Sequence, residues 1–438
     1  MIRSVIFLSF FLIFNAFVVR SQRPAPAKPQ QSGILIRNAV VHTGTGVVIP
    51  SGAVGFVNGK ITYVGRDLTD AKSLETYPRI LDAKGYHVYP GFILPNTILG
   101  LTEIESVRAT ADFSETGDIN PNIRTITSFN TDSKIIPTVR SNGVLLAQST
   151  PRGGLISGIS SVVQLDAWNW EDAAYLTDDG MHINWPQARY RTGWWAEPGP
   201  VEENKRRNEQ VEKLRQLLQQ AKAYSGIAST DPVNLHLAAV KKVLDGKIKL
   251  YIHADLAKDI MEAWDFFRNM GVKRMAIVGA EESYLITDFL KKEQAEIILS
   301  RIHSLPPSAD DAVDLPFRLP KILQDAGILY CLDYSGSMEA MGSRNLPFLA
   351  GTAVRGGLTT EQALQAITLN TAKILGIDSR TGSLETGKDA NLFISEGDAL
   401  DMMGNRVVLA FIQGREIALN NSQSELYKMY REKYGIRE

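Results

Sequence analysis

The stretch Gln148-Ser149-Thr150-Pro151-Arg152-Gly153-Gly154-Leu155-Ile156-Ser157-Gly158 holds residue types suited to gripping a polar ligand. It follows Gly143 to Ala147, an apolar run of buried-strand length. Glycines let backbone N–H groups approach a ligand closely, the hydroxyls of Ser149 and Thr150 can donate, and Arg152 can clamp a carboxylate or phosphate. The spacing does not match the phosphate-binding loop, which argues against a nucleotide. The same residues also suit a plain structural loop. His253 and Asp333 stand at the ends of two other apolar runs, Lys247 to Ala254 and Ile328 to Leu332. Each has a structural reading beside a chemical one. The imidazole can be a rim histidine satisfied by neighbours, and the carboxylate can cap a helix or loop. Cys331 lies within the second run, where a buried, inert thiol is expected.

Positioning such groups requires a rigid frame, and the pattern of the chain supplies one. Ser161 to Leu165, Lys247 to Ala254, Arg274 to Gly279, Ala295 to Leu299 and Gly327 to Leu332 read as strands. Helical stretches fall between them at Val201 to about Tyr224, Ile260 to Met270 and Tyr284 to Lys292. Alternation of this kind argues for a parallel sheet. The fourth and seventh barrel strands do not stand out. Residues 33–89 read instead as a small β module, with an Asn58-Gly59 hairpin turn. Ala390 to Ile394, Val407 to Ile412 and Gly414 to Ile417 read the same way, so both ends of the chain are expected to build one β-sandwich-like domain.

The 438 residues suit a barrel plus a smaller module, and 44% hydrophobic with 22% charged residues describes a globular protein with a sizeable core. A formal net charge of −1 leaves no global basic field, so no nucleic-acid partner is expected. Arg3 followed by the apolar run Val5 to Val19 reads as a signal peptide over residues 1–22, cut near Ser21-Gln22. Residues 23–32 form a Pro-rich linker. The mature chain is therefore expected to be periplasmic or secreted, with no membrane span. Cys331 is the single cysteine, so no intrachain disulfide can form. Trp168, Trp170, Trp185, Trp194 and Trp195 cluster among Pro and Gly, which suits aromatic packing beneath a long loop or a platform for flat ligands.

Two stretches carry a family resemblance. Tyr86-His87-Val88-Tyr89-Pro90-Gly91-Phe92-Ile93-Leu94-Pro95-Asn96-Thr97-Ile98 is one. The other runs from Asn345-Leu346-Pro347-Phe348 through Glu361 to Gly376 and on through Thr381-Gly382-Ser383-Leu384-Glu385-Thr386-Gly387-Lys388-Asp389-Ala390-Asn391-Leu392. Together they resemble the amidohydrolase superfamily, closest to its imidazolonepropionase-like branch, over roughly residues 33–420. The resemblance implies a TIM-like (β/α)8 barrel over residues 90–389, inserted into a small β-sandwich built from residues 33–89 and 390–420. A helical tail over residues 421–438 completes the chain.

The resemblance also implies a metal site, and here the chain departs from the family. Two first-strand histidines are expected where Asn96 and Ile98 stand, and a sixth-strand histidine where Val278-Gly279 stands. An amide oxygen is a poor zinc ligand and an alkyl group is none. His253 matches the fifth-strand histidine. Asp333 matches the eighth-strand aspartate that ligates metal and takes the proton of the attacking water. Glu103, Glu105, Glu281, Glu282 and His303 are the other donors near strand ends, while His42, His87, His182 and His236 read as small-domain or loop residues. The expectation is at most one divalent metal, zinc or similar, on His253 and Asp333, or none. Two functions follow: a hydrolase of non-peptide C–N bonds in a small-molecule substrate, or an inactive relative that binds a ligand or partner.

Overall fold

The computed structural model describes residues 25–68, 74–194, 197–225, 232–308, 310–336 and 338–436. The expected signal peptide lies outside them. The chain enters through five strands, β1 (Ile34–His42), β2 (Val48–Val57), β3 (Lys60–Arg66), β4 (Arg79–Asp82) and β5 (His87–Pro90). The β2–β3 turn is the expected Asn58-Gly59 pair, and both residues have positive φ, 50° and 77°. Two left-handed residues match the twist of the flanking strands, which is why Asn-Gly is favoured there.

The larger sheet follows. It contains β6 (Phe92–Thr97), β7 (Val144–Ser149), β8 (Ile156–Gln164) and β9 (Ala174–Asn184), all from the first half of the chain. A hairpin, β10 (Arg189–Trp194) and β11 (Glu197–Glu203), projects before β12 (Lys249–Ala254), β13 (Met275–Gly279), β14 (Glu296–Leu299) and β15 (Tyr330–Leu332) complete it. The hydrogen-bonded order is β15-β14-β13-β12-β9-β8-β7-β6. β6, β7 and β8 are buried along their whole length, as strands covered on both faces must be. This is a TIM-like α/β barrel with two departures from eight parallel strands.

First, β8 is antiparallel to both β7 and β9. The connections, residues 150–155 and 165–173, are too short for the crossover that parallel neighbours need. Second, the sheet order does not join β6 to β15. At that seam the Ile93 N–H donates to the Ile367 carbonyl, 2.9 Å. Ile367 lies between the helices Thr360–Ala366 and Leu369–Leu375. Apolar helix residues therefore close the barrel where strand pairing does not.

The return strands β16 (Leu392–Ser395), β17 (Val407–Ile412) and β18 (Arg415–Glu416) join the first five in one sheet, ordered β18-β17-β16-β5-β1-β2-β3 with β4 beside β1. Two separate sheets are not formed. The single sheet rolls up, with Ile61 N–H bonded to the Lys388 carbonyl and Gly387 N–H to that of Ile61, both 2.8 Å. Phe56 and Phe411 then meet edge to face inside, 5.0 Å between ring centres. Ile34, Ile36, Val54, Val88, Leu392 and Ile394 fill the same core.

The charged helix expected from Val201 begins at Arg207 and ends at Ser225. Val201 to Glu203 pair in the hairpin instead, where Arg189 faces Glu203, an opposite-charge cross-strand pair that favours the ladder. The tail helix, Ser422–Tyr434, buries no residue. Among the described residues no helix is long and apolar enough to cross a membrane.

Candidate functional site

Reversal of β8 decides what sits at the barrel mouth. Ile156 at the start of β8 pairs with Ile183 near the end of β9, so the short β7–β8 loop lies at the same end as the tips of β6, β12 and β15. That loop carries Arg152, whose N–H donates to the Phe113 carbonyl at 2.7 Å. Its guanidinium donates through Nη1 to Asn96 Oδ1, 2.9 Å, and through Nη2 to the Asn96 carbonyl and to Glu339 Oε1, each 2.8 Å.

Asn96 is the hub of this side. Its φ of 48° is left-handed, a conformation Asn tolerates better than most residues. Its N–H donates to Gln148 Oε1, 2.9 Å, and its side-chain Nδ2 donates to Asp333 Oδ2, 2.7 Å. Arginine can only donate and a carboxylate here accepts, so the two partners fix which way the amide points. Asp333 also accepts from Ser335, at 3.1 Å from N–H and 2.9 Å from Oγ to Oδ1. Burial pushes its carboxyl up to about 6, against those bonds and the Arg152 charge, which pull it down. Glu339 Oε1 takes a second bond from the Ile98 N–H, 2.8 Å, and Oε2 takes one from Gly336, 3.3 Å.

A second chain of bonds descends into the barrel. His253 Nε2 and His182 Nδ1 are 2.9 Å apart, and His182 Nε2 is 2.9 Å from Ser160 Oγ. Ser160 donates to Asp179 Oδ1, 2.8 Å, while Asp179 Oδ2 accepts from Gln148 at 2.7 Å and from Tyr251 at 2.8 Å. With the Ser160 proton directed to Asp179, His182 must donate through Nε2 and accept at Nδ1 from His253. The His182 ring is then neutral. Burial, with the Arg152 charge, agrees: it pushes His253 down to about 3 and His182 well below the usual imidazole range. Burial likewise lifts Asp179 up to about 6.

Around the rim, Asp255 is pushed up to about 7, first by burial and then by Glu281, Asp333, Glu282 and Asp259. Glu281 is raised by burial and by Glu282. A narrow crevice of about 20 Å³ opens beside Glu281, walled by Leu299, Ser300, Arg301, Leu305 and Leu315.

These residues do not fit a metal. The lone pair of His182 Nδ1 is engaged by the His253 N–H, and Asp333 Oδ2 faces an amide N–H. Val278, beside His253 in the ladder, is apolar. No side chain has room at position 279, where a Cβ would stand 2.1 Å from Asp255 Oδ1. Ile98 is buried and apolar. Among the described residues no three His, Cys, Asp or Glu side chains converge as a metal site.

The structure brings together Asn96, Arg152 and Asp333, with His253 close by on β12. Ser149 and Thr150 are fully enclosed, with the Thr150 hydroxyl donating to the Gln148 carbonyl, 3.1 Å. Glu103 and Glu105 accept backbone N–H groups of Lys134 and of Met338 and Ala340. Glu282 accepts that of Ala257, and His303 bonds Thr352. Two assignments are corrected: His236 lies in the helix Leu235–Leu244, and His182 is not a loop residue but the interior of β9, the fourth barrel strand. The polar–apolar alternation Met181-His182-Ile183-Asn184 is the signal for it. Glu339, Asp179, Ser160 and Tyr251 carry no such local signal. Of the tryptophans, Trp185 packs on Phe266 and Phe267 at 5.3 and 5.8 Å, while Trp168 is exposed and Trp195 lies outside the described residues.

A model of the Amidohydrolase family matches residues 313–417. Imidazolonepropionase of Symbiobacterium thermophilum is 25% identical over 375 residues, spanning 79% of this chain and 84% of that protein. Imidazolonepropionase of Syntrophobacter fumaroxidans is 45% identical over 56 residues, 13% of each chain. A solved amidohydrolase from Thermotoga maritima shares the fold, with a TM-score of 0.76 over 88% of this chain and 99% of that one at 24% identity. Residues 313–417 thus match the Amidohydrolase family, and the chain as a whole is similar to imidazolonepropionases and shares the fold of a solved amidohydrolase.

Proposed function

We propose that this is an exported amidohydrolase-fold protein whose barrel mouth binds a small molecule without running metal-activated hydrolysis. The observation that carries this reading is the bond from Asn96 Nδ2 to Asp333, with Arg152 on the other side of the same amide. The aspartate that would take a proton from metal-bound water is committed to an amide and a serine. The rim supplies the binding groups. Glu281 presents a carboxyl to the crevice at Leu299 to Leu305, and it favours a ligand bearing N–H donors. Strand-end loops are where this barrel type meets its ligands. Export rests on Arg3 and the apolar run behind it. N-terminal sequencing of exported protein is expected to begin near Gln22, and material beginning at Met1 overturns that part.

A second reading, a C–N hydrolase with one weakly held metal, draws on the family and on one observation. His182 Nδ1 and His253 Nε2 face each other at 2.9 Å, and a pair of imidazoles could share an ion. It lacks a third protein ligand, which catalytic zinc normally requires. Elemental analysis of metal-supplemented mature protein separates the two readings when combined with assays on linear and cyclic amides. The binding reading expects substoichiometric metal and no chelator-sensitive turnover. Stoichiometric metal together with turnover that a chelator abolishes would establish the hydrolase.

A further inference from the structure

Arg152 has one neighbourhood that a surface loop residue would not have. Its guanidinium meets Asn96 from β6 and Glu339 beyond β15, and Asn96 in turn meets Asp333. Glu339 and Asp333 are almost wholly enclosed. We propose that Arg152 is the resident cation of this barrel mouth, holding Asn96, Asp333 and Glu339 in register and barring a divalent metal from the space between them. The proposal rests on the reading that metal-activated hydrolysis is not the chemistry of this site, and extends it by naming the group that stands in the way.

The physical case is one of charge and shape. Buried carboxylates need a positive partner. Elsewhere in such a barrel a metal would supply it; here the Asp333–Asn96–Arg152–Glu339 chain does. A fixed positive charge within hydrogen-bond distance of Asn96 and Glu339 repels a dication from the same space. The planar guanidinium also directs bonds to an amide oxygen, a carbonyl and a carboxylate at once, which an ammonium on a flexible stem does not reproduce. The loop geometry fits the assignment. Gly154 has φ +65°, and a Cβ there would stand 2.8 Å from the Asp118 carbonyl, so the chain turns tightly as it delivers Arg152.

The test compares the full-length mature protein with Arg152→Lys, Arg152→Gln and Arg152→Met, reading melting temperature and bound zinc with and without added Zn²⁺. The wild type and Arg152→Lys are expected to show no zinc-dependent rise. Arg152→Met is expected to melt lower, to regain part of the loss in zinc, and to bind zinc at least about tenfold more tightly than the wild type, the effect of removing one like charge at close range. Arg152→Gln keeps a donor to Asn96 and removes the charge, so it carries the test if Arg152→Met does not fold. A purely structural arginine would lower the melting temperature with no gain in zinc response, and that result overturns the proposal while leaving the binding reading intact. Metal-independent turnover of an amide would overturn the binding reading and leave Arg152 as the resident cation. Tight stoichiometric zinc in the wild type overturns both.

Discussion

At the scale of single residues, Asn96 does two jobs that no other side chain of its size does together. It accepts from Arg152 and donates to Asp333 while sitting at a φ of 48°. Asn96→Ala removes one of the two donors to Asp333 Oδ2 and the side-chain acceptor of Arg152 Nη1, and a loss of about 2–3 kcal/mol is expected. Asn96→Gly loses the same bonds but relieves the left-handed strain, so it should be less harmful by about 1 kcal/mol. Urea denaturation of the pair measures both. His253 supplies a pH dependence. Its value falls from 6.5 to about 3 on folding, so the unfolded chain takes the proton first as pH drops. Its contribution is present above 6.5 and is lost as pH falls toward about 3. Asp179 and Asp333, raised from 3.8 to about 6, act in the opposite sense, favouring the fold below 3.8 and losing that advantage as pH rises through 6. His253→Gln is therefore expected to flatten the acid arm relative to the wild type. A steeper arm in denaturation profiles would contradict this assignment of the neutral imidazole.

At the scale of elements, the reversal of β8 is the decisive feature. In a regular β/α unit a helix would separate β7 from its neighbour. Here residues 150–155 turn straight back, and Arg152 is held over the mouth. Gly154 is the pivot, with positive φ and the Asp118 carbonyl 2.8 Å from where a Cβ would lie. Gly154→Ala is expected to lower stability by about 1–3 kcal/mol through strain and displacement of the loop, as read by thermal or urea unfolding. An unchanged midpoint would show that the loop is not under this constraint. The seam between β6 and β15 makes a related point. Helices bearing the resemblance to the family, around Glu361 to Gly376, fill the gap that strand pairing leaves. Their residues carry no chemistry, yet the barrel shape depends on them.

At the scale of the molecule, the small domain depends on both ends of the chain. β5 pairs with β16, and Leu392, Ile394 and Phe411 fill its core. A chain ending at residue 376 loses all of these, and it is expected to lack a cooperative transition for residues 33–89 in calorimetry. Retention of a sharp, separate transition would mean that the first five strands suffice. The barrel mouth is expected to behave as a metal-indifferent site. Dialysis against a chelator should change the melting temperature little, whereas a fully ligated structural zinc contributes roughly 10–16 kcal/mol. A large fall after chelation would point to ligands beyond those assembled at the mouth.

Much of this was local, and local information is what a sequence holds. Strand and helix periods, the Asn58-Gly59 turn and the stretches 86–98 and 345–392 defined a barrel set into a composite β domain. The apolar residues at 98 and 278 and the amide at 96 set the chain apart from the metal site that the resemblance implies. The direction of β8 was not legible, because a buried strand reads the same both ways and only its short connections exclude a crossover. His182 was legible only in part: the alternation Met181 to Asn184 marks a strand, but only the ladder beside Tyr251 places that strand in the barrel. The partners of Asp333 could not be read either. Asn96 lies 237 positions away and Glu339 is 187 from Arg152, and no periodicity spans such distances. Residue types fixed which bonds could form, and packing of the strands decided which did.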